Sequence, residues 1–162
     1  MTKEGSEMQL SSPSDEHLKA IGRVVVYFSL LDEALSFRIC SLIGYQNNIG
    51  NVITAELSFK QKVNLFSSLF CHLQKTTEEP AELKSLIGRI ITAEEERNKI
   101  LHSLWVVGTS SDMVIRLKAT AKRRKGQSGF KAQSQPMLLQ DINRIADSIL
   151  ALFHDLASTS VI

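Results

Sequence analysis

The sequence predicts a mainly α-helical domain, an antiparallel bundle of four helices with one small β-hairpin between the third and fourth. Three observations carry this. Four segments hold apolar residues at helical spacing, so each has one face to bury. A single segment after Trp105 changes to β-branched residues in partial alternation with polar ones. The length of 162 residues, with 43% hydrophobic and 22% charged side chains, suits one domain around one core.

The first twelve residues are polar and read as a disordered tail, leaving 13–162 as the domain. Ser14 and Asp15 open the first helix, which runs to about Ile43 and closes at Gly44. Leu18, Ile21, Val25, Phe28, Leu31, Leu35 and Leu42 form its apolar side. Tyr45 to Asn51 reads as a loop, rich in Asn and Gly. A second helix is expected over Val52 to Gln74. Thr76 to Pro80 is a turn, with Pro80 suited to a first helical position. The third helix is expected from Ala81 to about Leu104.

Trp105 to Val107, a turn over Gly108 to Asp112, and Met113 to Lys118 then read as the hairpin. The β insertion covers roughly 105–135. Within it, Ala121 to Gln135 is either an exposed loop or a further edge strand. A last helix follows Pro136, with Leu138, Leu139, Ile142, Ile145, Ile149, Leu152, Phe153 and Leu156 as its stripe. An antiparallel bundle is the economical way to bury four such faces.

The net charge of +2 does not by itself indicate a polyanionic partner. Its distribution says more, because Lys118, Lys122, Arg123, Arg124, Lys125 and Lys131 are concentrated in the insertion. Cys40 and Cys71 lie in apolar helical stretches with no signal peptide ahead of them. They read as reduced thiols of a cytoplasmic protein. No apolar run approaches the roughly 20 residues that span a bilayer, so no membrane role is expected. His17, His72, His102 and His154 form no His-x-x-x-His pair, the cysteines form no Cys-x-x-Cys pair, and no glycine-rich phosphate loop occurs. No metal and no cofactor is expected.

Chemistry concentrates in Glu94-Glu95-Glu96-Arg97-Asn98-Lys99-Ile100-Leu101-His102-Ser103-Leu104-Trp105. A helix turns by about 100° per residue, which gathers Leu83, Leu86, Ile87, Ile90, Ile91, Ile100, Leu101 and Leu104 on one arc. Arg97 falls near the middle of that arc. Glu94 is three residues before it and on the same face, so the two charges can pair. Asn98 and His102 stand one turn apart at the arc's edge, with Trp105 about a turn further. A charge on a buried stripe is costly unless it is paired or serves a purpose. Either the stripe widens into a groove here or a second chain covers it.

Arg97-Asn98-Lys99-Ile100-Leu101-His102 resembles the signature of the HEPN superfamily: an arginine followed by a polar residue, then a histidine after four to six intervening positions. The resemblance extends to the order of elements, with the motif late in an inner helix of a helical chain. It implies a HEPN-like bundle. It also implies a metal-independent endoribonuclease, of a toxin–antitoxin or phage-defence kind, working as a homodimer with its two motifs facing each other. An antitoxin or other regulatory protein is then an expected partner. Other members are non-catalytic binding or regulatory modules, and the motif alone does not separate the two kinds. Ser103 follows His102 where some toxin-type members carry an aromatic.

The residue types suit the implied reaction. When a ribose 2′-hydroxyl attacks the adjacent phosphorus, histidine can move the protons near neutral pH. The guanidinium of Arg97 offers forked donors to the phosphate oxygens as charge builds on them. Asn98 orients the phosphate or holds the His102 ring, with Glu94 and Ser103 in support. The competing reading makes Glu94–Arg97 a buried ion pair and His102 a helix-end histidine on the C-terminal dipole. Two readings likewise stand for Lys122, Arg123, Arg124 and Lys125, which either grip RNA phosphates or form a solvated loop. Trp105 either stacks on a base or packs at the helix-to-strand junction. Lys60 and Lys62 read as ordinary surface charges.

Overall fold

The computed structural model describes residues 12–44, 48–108, 110–124 and 127–158, and for 119–132 it describes the backbone. The expected N-terminal tail, up to residue 11, lies outside the described residues. Five helices and one three-stranded antiparallel sheet make up the described chain.

Helix α1, Asp15–Ile43, begins after Ser14, and Asp15 and Glu16 in its first turn favour the positive end of the helix dipole. Gly44 ends it at φ 103°, a conformation that favours glycine. Ala20, Val24, Phe28, Leu31, Leu35 and Ile39 recur three or four apart and are buried. Leu18 and Val25, expected on the apolar side, are exposed.

The single second helix expected over 52–74 is two helices, α2 (Ile49–Glu56) and α3 (Phe59–Leu73). Leu57 is extended between them, and the Ser58 N–H donates to Gln61 Oε1 at 2.9 Å. This Ser-x-x-Gln capping box starts a new helix where the apolar pattern alone continues through. The loop expected up to Asn51 ends sooner, because α2 begins at Ile49; residues 45–47 lie outside the described chain. Lys62 is not a surface charge: it is buried, with its ammonium 2.8 Å from Asp32 on α1.

Helix α4, Ala81–Leu101, follows Pro80, which stands at the cap instead of the first helical position. Strand β1 is Leu104–Val107, β2 is Met113–Arg124 and β3 is Gln127–Leu138, in the order β1-β2-β3. Leu104 pairs with Leu117, so α4 ends three residues before the expected Leu104. In the β1–β2 turn the Gly108 N–H donates to Met113 O at 3.0 Å. A Cβ on Gly108 would lie 2.7 Å from that same oxygen, so only glycine fits. The Ala121–Gln135 segment, left open between loop and strand, is strand apart from residues 125–126, which lie outside the described chain. Leu138 belongs to β3, and the last helix, α5, is Leu139–Ser158.

Helix α1 packs against α2, α3, α4 and α5, and α4 also packs on α3 and α5. The core lies between them, with Val63 and Phe66 of α3, Ile87 and Ile90 of α4, and Ile142, Ile149 and Leu156 of α5. Burying one such side chain contributes roughly 1.5–3 kcal/mol. Arg38 of α1 closes the far end of α5, donating from Nε to Leu156 O at 2.8 Å and from Nη2 to Ala157 O at 2.6 Å.

His17 ties the start of α1 to the β1–β2 turn. It is 1% exposed; its Nε2 lies 3.2 Å from Asp112 O, and its Nδ1 lies 2.7 Å from Ser14 Oγ. The carbonyl can only accept, so Nε2 donates to it, while Nδ1 and the Ser14 hydroxyl share the second hydrogen bond. Removing the ring takes from the Asp112 carbonyl one of its two donors, the other being the Leu139 N–H at 2.9 Å, and empties a fully buried site. His17→Ala is therefore expected to lower unfolding stability by about 2–3 kcal/mol, read from the urea midpoint.

Candidate functional site

The motif occupies the last turn of α4 and the residues that follow. Leu83, Ile87, Ile90, Ala93 and Ile100 are the buried positions of this helix. Arg97 continues that same stripe, as its spacing predicts. Ile91, Leu101 and Leu104, expected on the core-facing arc, are instead exposed.

Arg97 does not pair with Glu94. Its guanidinium lies over the Phe28 ring, 4.8 Å from the centroid, and Nη1 donates to Asn98 Oδ1 at 2.8 Å. Its Nε is buried without a hydrogen-bond partner among the described residues. Glu94 is half-buried and forms no ion pair among the described residues. The aromatic face supplied by α1 takes the place of the carboxylate. A cation over a ring contributes about 0.5–2 kcal/mol. A buried donor left unmatched costs about 1–3 kcal/mol. With about 0.5–1.5 kcal/mol for the bond to Asn98, these contributions come near to cancelling.

His102 caps α4 at φ −95°, ψ 36°, and its N–H donates to Asn98 O at 3.2 Å. That bond keeps it one turn beyond Asn98. The side chain is exposed, and its ring has no hydrogen-bond partner among the described residues. Asn98 Oδ1 is taken by Arg97, so within one chain Asn98 steadies the guanidinium rather than the imidazole.

The carbonyls left free where α4 ends are satisfied by residues beyond it. Ser103 Oγ donates to Lys99 O at 2.7 Å, Arg116 Nη1 to the same oxygen at 3.1 Å, and Trp105 Nε1 to Ile100 O at 3.1 Å. Ser103, the residue after His102, is thus tied back to the last turn of α4. Trp105 is packed against the core and its indole N–H is engaged, the arrangement of a junction residue.

Arg116 is a further buried arginine at this end of α4 that the reading of the sequence did not single out. It is 8% exposed; Nη2 donates to Gln135 Oε1 at 2.7 Å and Nε has no partner among the described residues. A signal existed, since Arg116 lies two residues after Val114 and so shares its buried strand face. A cavity of about 180 Å³ lies where Arg116, Gln135 and Met137 meet Glu96, Lys99 and Ile100 of α4.

Of the basic segment, Lys122, Arg123 and Arg124 fall on the end of β2, and Lys125 lies outside the described residues. Cys40 and Cys71 are free thiols. Among the described residues no helix is long and apolar enough to cross a membrane. No family model, curated protein or solved structure matches the chain.

Proposed function

We propose that this chain is a metal-independent endoribonuclease of the HEPN kind, with α1, α3, α4 and α5 as the helices of its bundle. The observation that carries the reading is the pairing at the end of α4. A half-buried Arg97, steadied by Phe28 and by Asn98 but with an unmatched Nε, adjoins Asn98, and one turn beyond Asn98 stands an exposed His102 whose ring has no hydrogen-bond partner among the described residues. The chemistry follows from these groups. An imidazole takes the 2′-hydroxyl proton as that oxygen attacks phosphorus. The bond to the 5′-oxygen breaks, and an imidazolium returns a proton to it. The products are a 2′,3′-cyclic phosphate and a 5′-hydroxyl end, and Arg97 offsets the charge gathered on the phosphorus oxygens.

One copy of the motif offers one imidazole, whereas the step uses a base and an acid. A homodimer supplies both. Leu101 and Leu104, on either side of His102 in the chain, are 36% and 57% exposed, apolar surface suited to a second copy. The reading extends to a toxin or defence protein, held in check by an antitoxin or another regulatory protein.

A second reading, a non-catalytic helical module that binds protein or nucleic acid, is favoured by one observation. Nothing among the described residues orients the His102 ring, whereas a general base is normally held by a further group. Incubation of an end-labelled mixed-sequence RNA with the wild-type chain in EDTA separates the two. Cyclic-phosphate-ended fragments are expected. Intact RNA in the presence of a folded, dimeric chain, across a panel of structured and unstructured RNAs, favours the binding module.

A further inference from the structure

Strands β2 and β3 each have twelve residues and pair along their whole length, from Met113 with Leu138 to Arg124 with Gln127. Strand β1 pairs only with Val114 to Leu117. From Lys118 onward the two strands continue alone, over roughly 20 Å at about 3.4 Å per residue. Residues Met113 to Leu138 contain seven Lys and Arg and no Asp or Glu. The remainder of the chain has twelve Lys and Arg against seventeen Asp and Glu. The positive charge of this protein is thus placed on the ribbon, beside a net acidic remainder.

The register sorts these cations. Opposed residues in an antiparallel ladder share a face, as do residues two apart on a strand. Lys118 is opposite Gln133, Thr120 opposite Lys131, Lys122 opposite Gly129 and Arg124 opposite Gln127. One face therefore holds the positions of Lys118, Lys122, Arg124 and Lys131. The other holds Ala119, Ala121, Arg123, Ser128, Phe130 and Ala132, with a single cation. Lysines on an edge strand also discourage aggregation, but that purpose does not require them to share a face. Followed back along β2, the basic face is that of Arg116, which reaches the Lys99 carbonyl at the end of α4.

We propose that the β2–β3 ribbon is an arm that tracks the phosphates of single-stranded RNA on this face and leads the strand to the end of α4. The proposal rests on the ribonuclease reading and adds the surface that holds the substrate. A row of cations with no base-reading pattern fits a phosphate backbone without sequence preference. Single-stranded RNA is the form chosen, because the deep, narrow major groove of duplex RNA does not admit a ribbon.

The test is fluorescence anisotropy of a labelled 20-nucleotide mixed-sequence RNA in EDTA, using the full chain with His102→Ala to keep the RNA intact. K118Q, K122Q, R124Q and K131Q are combined in one variant, and R123Q alone probes the opposite face. At 0.1 M salt the combined variant is expected to bind at least 30-fold more weakly. Its plot of log affinity against log salt is expected to flatten by about 3, from four lost phosphate contacts. R123Q is expected to stay within threefold of its parent. If the combined variant does not fold, K122Q with R124Q at the far end is expected to flatten the slope by about 1.4. Unchanged affinity and slope in a folded variant overturns the proposal. So does a parent that does not bind RNA, or duplex DNA or polyglutamate binding as tightly as RNA. Cleavage by the chain with native His102 is scored separately. Ribbon-dependent binding without cleavage defeats the ribonuclease reading alone, and cleavage with ribbon-independent binding defeats the arm alone.

Discussion

Replacing His102 with Ala is expected to slow RNA cleavage in EDTA by about 10²–10⁴-fold, the usual contribution of a positioned general acid or base. The fold should not register the change. His102 is exposed, its ring has no hydrogen-bond partner among the described residues, and its backbone bond to Asn98 O does not depend on the side chain. The urea midpoint is accordingly expected to stay within about 0.5 kcal/mol of wild type. This separation of activity from stability is what gives the substitution its force. His102→Gln, which keeps a polar side chain but cannot exchange a proton near neutral pH, is expected to be as inactive as His102→Ala. If two imidazoles serve as base and acid, the wild-type rate is bell-shaped in pH, and the residual rate of either variant loses that shape. Cleavage at the wild-type rate, with the same cyclic-phosphate ends, in purified His102→Ala would remove His102 from the reaction.

The motif could be read from the sequence because its spacing is local. Arg97 falls on the apolar stripe, and Asn98 and His102 are one turn apart, in the folded chain as in the helical projection. What holds Arg97 could not be read, since Phe28 is almost seventy residues away and reaches it only when α1 packs on α4. Helical spacing offered Glu94, and tertiary packing offered a ring instead. The break at Leu57 escaped notice for another reason. Apolar residues continue at helical spacing on both sides of it, and only the Ser58–Gln61 cap distinguishes two helices from one. Where α4 ends depended on strand pairing, because Leu104 is claimed by Leu117 and the last carbonyls by Ser103, Trp105 and Arg116. The sorting of cations along the ribbon needed the register. Adjacent residues Lys122, Arg123 and Arg124 look alike in sequence until Gly129, Ser128 and Gln127 are set opposite them.

Arg97→Met is expected to cut cleavage sharply without destabilising the protein, and this combination distinguishes a functional arginine from a structural one. The guanidinium gains about 0.5–2 kcal/mol from the Phe28 face and about 0.5–1.5 kcal/mol from its bond to Asn98 Oδ1, against about 1–3 kcal/mol for its unmatched Nε, so the terms nearly cancel and folding has little to lose when it goes. Methionine is of similar length, unbranched, and makes favourable sulfur contacts with an aromatic ring. It can lie along Phe28 with no donor to satisfy. Replacing buried charge by apolar side chains of similar volume is often neutral or stabilising. Equilibrium urea unfolding should therefore place Arg97→Met at wild-type stability or about 1 kcal/mol above it. Cleavage should fall by about 10²–10³-fold, the scale of losing a donor that stabilises transition-state charge. Arg97→Lys keeps the charge but not the planar fork, and is expected to recover little of the rate. A loss of about 3 kcal/mol or more in Arg97→Met, the scale of breaking a buried charge pair, would make Arg97 an anchor for the α1–α4 contact. The activity lost with it would then report only a damaged fold.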